Sequence, residues 1–277
     1  MIHTALSVIE NNEIDKIFNN IGCKQAKVKT DFKERFAKLQ SEDERKLILD
    51  LTSRFTYIPL SEYGNHLIKS INDFIRAADH SKIIGIMNGF HKSDFGKVKS
   101  NYLVSYQFKG LNLIKNINWP TKYPRIIDNS KSLLKINNLQ DYNLVLVDDF
   151  LGSGETIEGA YNYMSHRLKA HNKPMPYVSV VCIVAMQHAV DLLSTKMRIN
   201  VYASKILKRG ISDFYTGNDL KEAKSLMKEI ERRIKVRDNF RFGYKQSEAL
   251  VCMERCPNNT FPFYWFNDKY GNPPFRR

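Results

Sequence analysis

Leu144-Val-Leu-Val-Asp-Asp-Phe-Leu-Gly-Ser-Gly-Glu-Thr156 is the stretch that decides the fold. Its opening, with Asn143 before it, is the near-continuous apolar run of a central strand buried on both faces. Two adjacent acids follow, then a loop of small residues that leads into a helix. Strand, acids and glycine turn in that order describe a ligand site at the carboxyl end of a parallel strand.

Outward from this stretch, short apolar runs alternate with helical patterns. Ile83-Ile-Gly-Ile-Met87 and Tyr102-Leu-Val-Ser-Tyr-Gln-Phe108 read as strands. Behind the glycine turn, Ile157, Ala160, Tyr161, Met164 and Leu168 recur at helical spacing. A strand over 177–185, a helix over 187–196 and a strand near 200–207 complete a β-α-β-α-β order. That order predicts an α/β fold, a mostly parallel open sheet flanked by helices. Residues 1–80 read as an N-terminal helical cap. In it, Ser41 and Glu44 form a capping box, and Leu67, Ile68, Ile71, Phe74, Ile75 and Ala78 share one helix face. The expected partition is thus 1–80, 81–215 and 216–277. The last part holds a helix capped by Asn218 or Asp219, a short strand over 249–253 and an aromatic tail, Pro257–Phe266.

The chemistry follows from the loop. The backbone N–H groups of Gly152-Ser-Gly-Glu-Thr156 can turn toward one centre, and the helix start adds its positive dipole end, a nest for phosphate. Ser153 and Thr156 supply hydroxyl donors, and glycine lets the backbone approach an anion closely. Asp148 and Asp149 would repel that phosphate if they touched it, so they suit another part of the ligand. Vicinal ribose hydroxyls, which ionised carboxylates accept well, fit that place. A 5-phosphorylated ribose spans acids and loop together.

Other readings of the same residues compete. A Walker A loop lacks its Gly-Lys-Ser/Thr here, and a Walker B strand has no Walker A upstream. A dinucleotide fingerprint would need a third glycine after Gly154. The plain alternative is a strand and tight turn whose acids merely cap the next helix. Cys252 and Cys256 make a poor zinc site, with Cys23 and Cys182 on other elements. The four cysteines are too few for a disulfide scaffold, which favours a reducing cytoplasm.

The thirteen-residue stretch resembles the phosphoribosyl-pyrophosphate (PRPP) motif of type I phosphoribosyltransferases. Asp148 and Asp149 match its acid pair, and Gly152, Ser153, Gly154, Glu155 and Thr156 its 5-phosphate loop. Gly152 stands for the usual Ala, Ser153 for the usual Thr, and Glu155 where Gly is common. The resemblance implies a type I phosphoribosyltransferase-like fold, Mg²⁺ carried with PRPP and a second loop for the pyrophosphate. The best candidate for that loop is Met87-Asn-Gly-Phe-His91, through Asn88 and Gly89, with residues 92–100 as a lid bearing Lys97 and Lys99. Phe263 and Trp265 are candidates for a nucleobase slot, with core closure as the competing reading.

Ser247-Glu-Ala-Leu-Val251 and Pro257–Trp265 also resemble the tail of phosphoribosyltransferase-like proteins in bacterial conflict and retron gene sets. That implies a nucleotide-targeting anti-phage effector, restrained by a reverse transcriptase with its small DNA. The alternative is a non-catalytic PRPP or nucleotide sensor that binds nucleic acid, toward which Glu155 leans. The chain has 277 residues, 43% hydrophobic and 26% charged, so it suits a folded protein of one or two domains. Its net charge of +14 favours a polyanionic partner, nucleic acid above others. The Lys221, Lys224, Lys228, Arg232, Arg233 and Lys235 face of the last long helix is the candidate contact. No apolar run approaches the ~20 residues of a membrane span, and the start lacks a signal-peptide pattern. An oligomer is compatible with all of this.

Overall fold

The computed structural model describes residues 6–89, 100–120, 123–267 and 272–277. The chain divides into two compact units, Met1–Leu60 with Leu207–Arg277, and Ser61–Ile206. This differs from the expected partition at 80 and 215. The helix over Tyr63–Ala77 packs on the sheet, and the segment after 207 joins the N-terminal helices.

The first unit opens with helices α1 (Val8–Asn20), α2 (Ala26–Phe36) and α3 (Glu42–Ser53). Ser7 and Glu10 close a reciprocal capping box on α1. On α3, Ser41 accepts the Glu44 N–H at 3.1 Å, as expected of a cap. The Glu44 carboxylate, however, accepts from the Gln40 N–H and meets Arg233, so the box is not reciprocal. Strand β1 (Thr56–Tyr57) pairs in parallel with β7 (Val251–Cys252), with Thr56 opposite Val251. Helix α10 (Gly217–Arg233) is preceded by Thr216, not capped by Asn218 or Asp219, and buries Ala223, Met227 and Ile230. These elements enclose an aromatic core. Phe32 lies 5.2 Å from Phe18, 5.8 Å from Phe36 and 6.0 Å from Phe263, centroid to centroid.

The second unit is the α/β fold that the sequence predicts. Helix α4 (Tyr63–Ala77) leads into β2 (Ile83–Asn88), followed by α5 (Ser100–Gln107), α6 (Leu111–Asn116), β3 (Arg125–Ile126) and α7 (Ser130–Leu134). Strand β4 (Tyr142–Leu151), helix α8 (Glu155–Ala170), β5 (Tyr177–Met186), α9 (Gln187–Met197) and β6 (Asn200–Leu207) follow. Residues 102–107 are therefore helical, not the expected strand. Val104 and Phe108, four apart, are buried while Tyr102 and Tyr106 are exposed, a helical spacing that a short apolar run hides.

The sheet order is β3-β2-β4-β5-β6, and β2 pairs in parallel with β3 and β4, as β4 does with β5. In chain order within the sheet this is 2-1-3-4-5, the doubly wound arrangement whose connections diverge between its first and third strands. Ser70 ties α4 to the sheet: its hydroxyl donates to the Cys182 carbonyl at 2.8 Å. Among the described residues no helix is long and apolar enough to cross a membrane.

One buried acid makes the stability of the first unit depend on pH. Glu231 on α10 is fully buried, and that burial pushes its carboxyl up to about 8. The Phe242 N–H and Arg241 pull the other way, and Glu248 adds to the rise. A folded-state value above the unfolded one means the native state holds the extra proton between about 4.5 and 8. Stability is full below that window and falls as pH rises through it, by up to about 1.4 kcal/mol per pH unit. Glu231→Gln, which keeps an acceptor for the Phe242 N–H, should flatten this slope in urea unfolding from pH 5 to 8. An unchanged slope would assign it to other groups.

Candidate functional site

The site forms where β2 ends before β4 does. Asn88, the last residue of β2, lies opposite Val147, and the Gly89 N–H donates to the Val147 carbonyl at 3.0 Å. Strand β4 runs on to Leu151, paired with β5 as far as Ala185. Asp148 and Asp149 occupy this overhang, each 8% exposed. The overhang lies at the carboxyl edge between the two strands whose connections diverge, the crevice where sheets of this order take their ligands.

Neighbouring residues of a strand point to opposite faces, so the two acids separate. Asp149 meets the helices that precede the sheet and follow β2. Its Oδ1 accepts the Ser100 hydroxyl at 2.8 Å and the Phe150 N–H at 3.0 Å, and the Tyr63 hydroxyl donates to Oδ2 at 3.5 Å. Asp148 lies on the other face. Its Oδ1 accepts the Asp149 N–H at 2.9 Å, and its Oδ2 is 3.9 Å from where a Gly89 Cβ would stand. That same Cβ would lie 2.7 Å from Ile157 Cδ1 on α8, so glycine keeps this approach open. Cys182, opposite Asp148 in register, is fully buried. Burial first, then the Asp148 and Asp149 charges, push its thiol well up, so it adds no negative charge beside the acids.

The expected phosphate loop follows directly. Gly154 takes the left-handed conformation, φ 83°, and starts α8 at Glu155, one residue earlier than the sequence suggests. Left-handed backbone is what glycine supplies without a Cβ penalty. Gly152 and Gly154 are buried, Ser153 and Thr156 half-buried, and Glu155 exposed. The Ser153 hydroxyl accepts the Glu155 N–H at 3.4 Å. The N–H groups of Thr156 and Ile157 lie in a first helical turn, which offers them no intrahelical acceptor. Asn88 completes the group. It is nine-tenths buried, and its Oδ1 has no hydrogen-bond partner among the described residues. A buried acceptor without a donor costs about 1–3 kcal/mol, so a ligand hydroxyl there recovers that cost.

The structure therefore brings Asn88, Gly89, Asp148, Asp149 and the 152–156 turn to one strand edge. Residues 90–99 of the expected pyrophosphate loop and lid, with His91, Lys97 and Lys99, lie outside the described residues. Phe263 and Trp265 are elsewhere: both are buried in the aromatic core of the first unit. Phe32 and Tyr264 meet the Phe263 ring, while Phe240 and Phe266 meet Trp265, whose Nε1 donates to the Thr260 carbonyl at 2.7 Å. Core closure replaces the base slot. Tyr63 is the site neighbour that sequence reasoning missed, since a tyrosine at a helix start carries no local signal of a distant carboxylate. Among the described residues no group of three or more His, Cys, Asp or Glu side chains gathers to hold a metal ion.

A doubly wound sheet with paired acids and a left-handed glycine turn at its switch point defines a phosphoribosyltransferase-like class of protein. The chain belongs to the family described as PRTase-CE, whose model matches residues 29–277. No curated protein matches it. Among solved structures it is similar to an orotate phosphoribosyltransferase from Mycobacterium tuberculosis in complex with PRPP. Identity is 11% and the TM-score 0.33, over 62% of this chain and 94% of that one. It is also similar to a Neisseria gonorrhoeae protein with bound ppGpp, at 13% identity and TM-score 0.32, over 64% and 98%. A third is the hypoxanthine phosphoribosyltransferase of Trypanosoma cruzi complexed with IMP, at 10% identity and TM-score 0.27, over 60% and 74%. Membership rests on the family match alone.

Ser100 and Tyr63 should matter for stability through Asp149. Ser100→Ala removes a donor to a buried carboxylate and should cost about 1–3 kcal/mol in thermal unfolding. Tyr63→Phe, whose bond is longer, should cost less. Because both act on one carboxylate, the double variant should fall short of the sum or exceed it, not match it.

Proposed function

We propose that the chain binds a 5-phosphoribosyl compound at this strand edge, PRPP or a nucleotide, and transfers or releases the pentosyl group. The observation that carries this is the convergence of Asp148, the 152–156 turn and the unpartnered Asn88 amide at the switch point. In this reading the turn and the first-turn N–H groups of α8 hold the 5-phosphate. Asp148 accepts from the ribose hydroxyls on the face of the turn, Asp149 adds its charge from the opposite face, and Asn88 Oδ1 accepts from a further ligand hydroxyl beside Gly89. Mg²⁺ arrives with PRPP as part of the substrate.

The reaction breaks the bond from the anomeric carbon to a pyrophosphate oxygen, which leaves with the electron pair. An acceptor nitrogen, or water, forms the new bond and gives up its proton. The carbon passes through an oxocarbenium-like state, and the fixed carboxylates stabilise its positive charge. Run from a nucleotide, the same chemistry releases a base and consumes the nucleotide pool. That suits an anti-phage effector of a retron-like system, with a reverse transcriptase and its small DNA as restraint, a setting supported by the tail resemblance at 247–265.

A second reading, a sensor without turnover, is favoured by Glu155 in the first turn of α8. Titration calorimetry with Mg-PRPP, paired with an assay for released pyrophosphate, separates the two, since binding without release identifies the sensor. Mass spectrometry of the nucleotide pool after induced expression reads the effector activity. Asp148→Asn with Asp149→Asn should abolish turnover while circular dichroism stays unchanged; turnover that survives sinks the mechanism.

Asn88→Ala gives a sharper test. It removes a buried acceptor that has no donor, so folded stability should hold or rise slightly. Binding of Mg-PRPP should weaken about tenfold, one hydrogen bond's worth. Undiminished affinity would place the ligand elsewhere.

A further inference from the structure

The first unit carries a separate feature on the segment after α10. Residues 232–245 hold Arg232, Arg233, Lys235, Arg237, Arg241 and Lys245 against Asp238 alone. Part of the charge on α10 is matched: Arg233 meets Glu44 at 2.6 Å, Arg232 meets Glu229 at 3.0 Å, and Lys224 lies 3.8 Å from Glu248. Farther on, Arg241 meets Asp238 at 2.9 Å, whereas Lys235, Arg237 and Lys245 are exposed. Exposed cations thus continue past the helix face that the sequence singled out, onto the segment that follows it.

The backbone here is strained. Lys235, Phe242, Lys245, Gln246 and Glu248 have φ values of 57°, 56°, 57°, 52° and 49°. A left-handed non-glycine residue is disfavoured and persists only where its surroundings fix it. They do so here. Both Glu231 oxygens accept the Phe242 N–H at 3.0 Å, the Tyr244 N–H donates to the Asn258 carbonyl, and Asn259 Nδ2 donates to the Tyr244 carbonyl. A Cβ at Gly243 would stand 1.9 Å from the Asn259 carbonyl oxygen, so the two segments are in close contact. The result is a stiff loop with its cations already placed.

Aromatic rings sit among those cations. Phe240 and Tyr244 are half-buried with centroids 6.2 Å apart, and the Lys245 ammonium is 5.9 Å from the Tyr244 ring. The exposed Arg277 guanidinium lies 5.6 Å from the Phe240 centroid and 5.1 Å from that of Trp265. Partial desolvation against these rings, and after it the charge of Arg255, lower the Arg277 pKa, so two guanidiniums crowd this edge.

We propose that the 235–246 loop, with Arg255 and Arg277, is a binding surface for single-stranded nucleic acid. Clustered cations track phosphates, while half-buried aromatic side chains beside them suit unstacked bases, which a duplex does not offer. An acidic protein would use the charges and leave the rings idle. The surface stands independently of the phosphoribosyl reading.

The test is fluorescence anisotropy of the full chain with labelled mixed-sequence DNA and RNA of about 20 nucleotides, single-stranded and as duplexes. Single strands should bind more tightly, with a log–log salt slope of about −2 to −3, as three or four phosphate contacts imply. R237E/K245E/R255E, all at exposed positions, should weaken binding about tenfold or more and flatten that slope. Tyr244→Leu should weaken binding and leave the slope unchanged, the mark of a stacking contact. K221E/K228E on the exposed face of α10 should bind as the unsubstituted chain does. No single-strand binding at low salt, equal or tighter duplex binding, or undiminished binding by the folded triple variant overturns the proposal.

Discussion

The unequal length of two neighbouring strands is the constraint on which the candidate site depends. A carboxylate placed inside a sheet, with a strand on each side and helices above and below, is costly to bury without donors. Strand β2 stops at Asn88, opposite Val147, and the Gly89 N–H closes the last bond of that ladder. The next two residues of β4 are the acids. They gain a strand partner on the β5 side, and on the other side the space that β2 leaves. Their charges are met by donors that exist because the strand ends there, the Asp149 and Phe150 N–H groups and the Ser100 hydroxyl. One more residue pair in β2 would put Asp148 within a continuous ladder.

This overhang also makes the two acids unequal, although the sequence writes them as a matched pair. Asp149 is held by hydroxyls from α4 and α5, so part of its accepting capacity is already committed to the fold. Asp148 shares its face with Gly89 and with the start of α8, the side on which the glycine turn leaves the strand. Asp148 therefore lies on the side from which the turn departs. Asp149 is better placed to set the position of the helices that bound the site. Pairing by adjacency in sequence becomes separation by a sheet in space, a direct consequence of the period-two alternation of strands.

The sequence made the parallel strands legible where apolar runs were long and bounded, as at Ile83–Asn88, Tyr142–Leu151 and Tyr177–Met186. It concealed the elements whose signal is short or non-local. The edge strand Arg125–Ile126 has two residues and no pattern to detect. Residues 102–108 look extended because branched and aromatic residues dominate a run too short to show helical spacing. The parallel pairing of Thr56 with Val251 joins segments almost two hundred residues apart, and no local periodicity announces it. Of the site, the acids and the glycine turn were readable because their chemistry is contiguous. Tyr63 and Ser100 were not readable as partners of Asp149, since only the fold brings them there.

That long-range closure changes what the tail of the chain signifies. Phe261, Phe263, Tyr264 and Trp265 are buried, and they complete a core begun by Phe18, Phe32, Phe36 and Phe55 from the other end of the chain. The Tyr264 hydroxyl lies 2.9 Å from that of Thr52 on α3, and Asn259 is spent on the Tyr244 carbonyl and the Ser247 hydroxyl. Glu248, in the same stretch, accepts the Ile211 and Ser212 N–H groups. Residues so fully engaged are fixed by packing and hydrogen-bond satisfaction, whatever ligand the protein takes. A resemblance across 247–265 therefore reports the architecture of the first unit. The case for phosphoribosyl chemistry has to be carried by the strand edge at 88–89 and 148–156, where buried polar groups still have capacity to accept a partner.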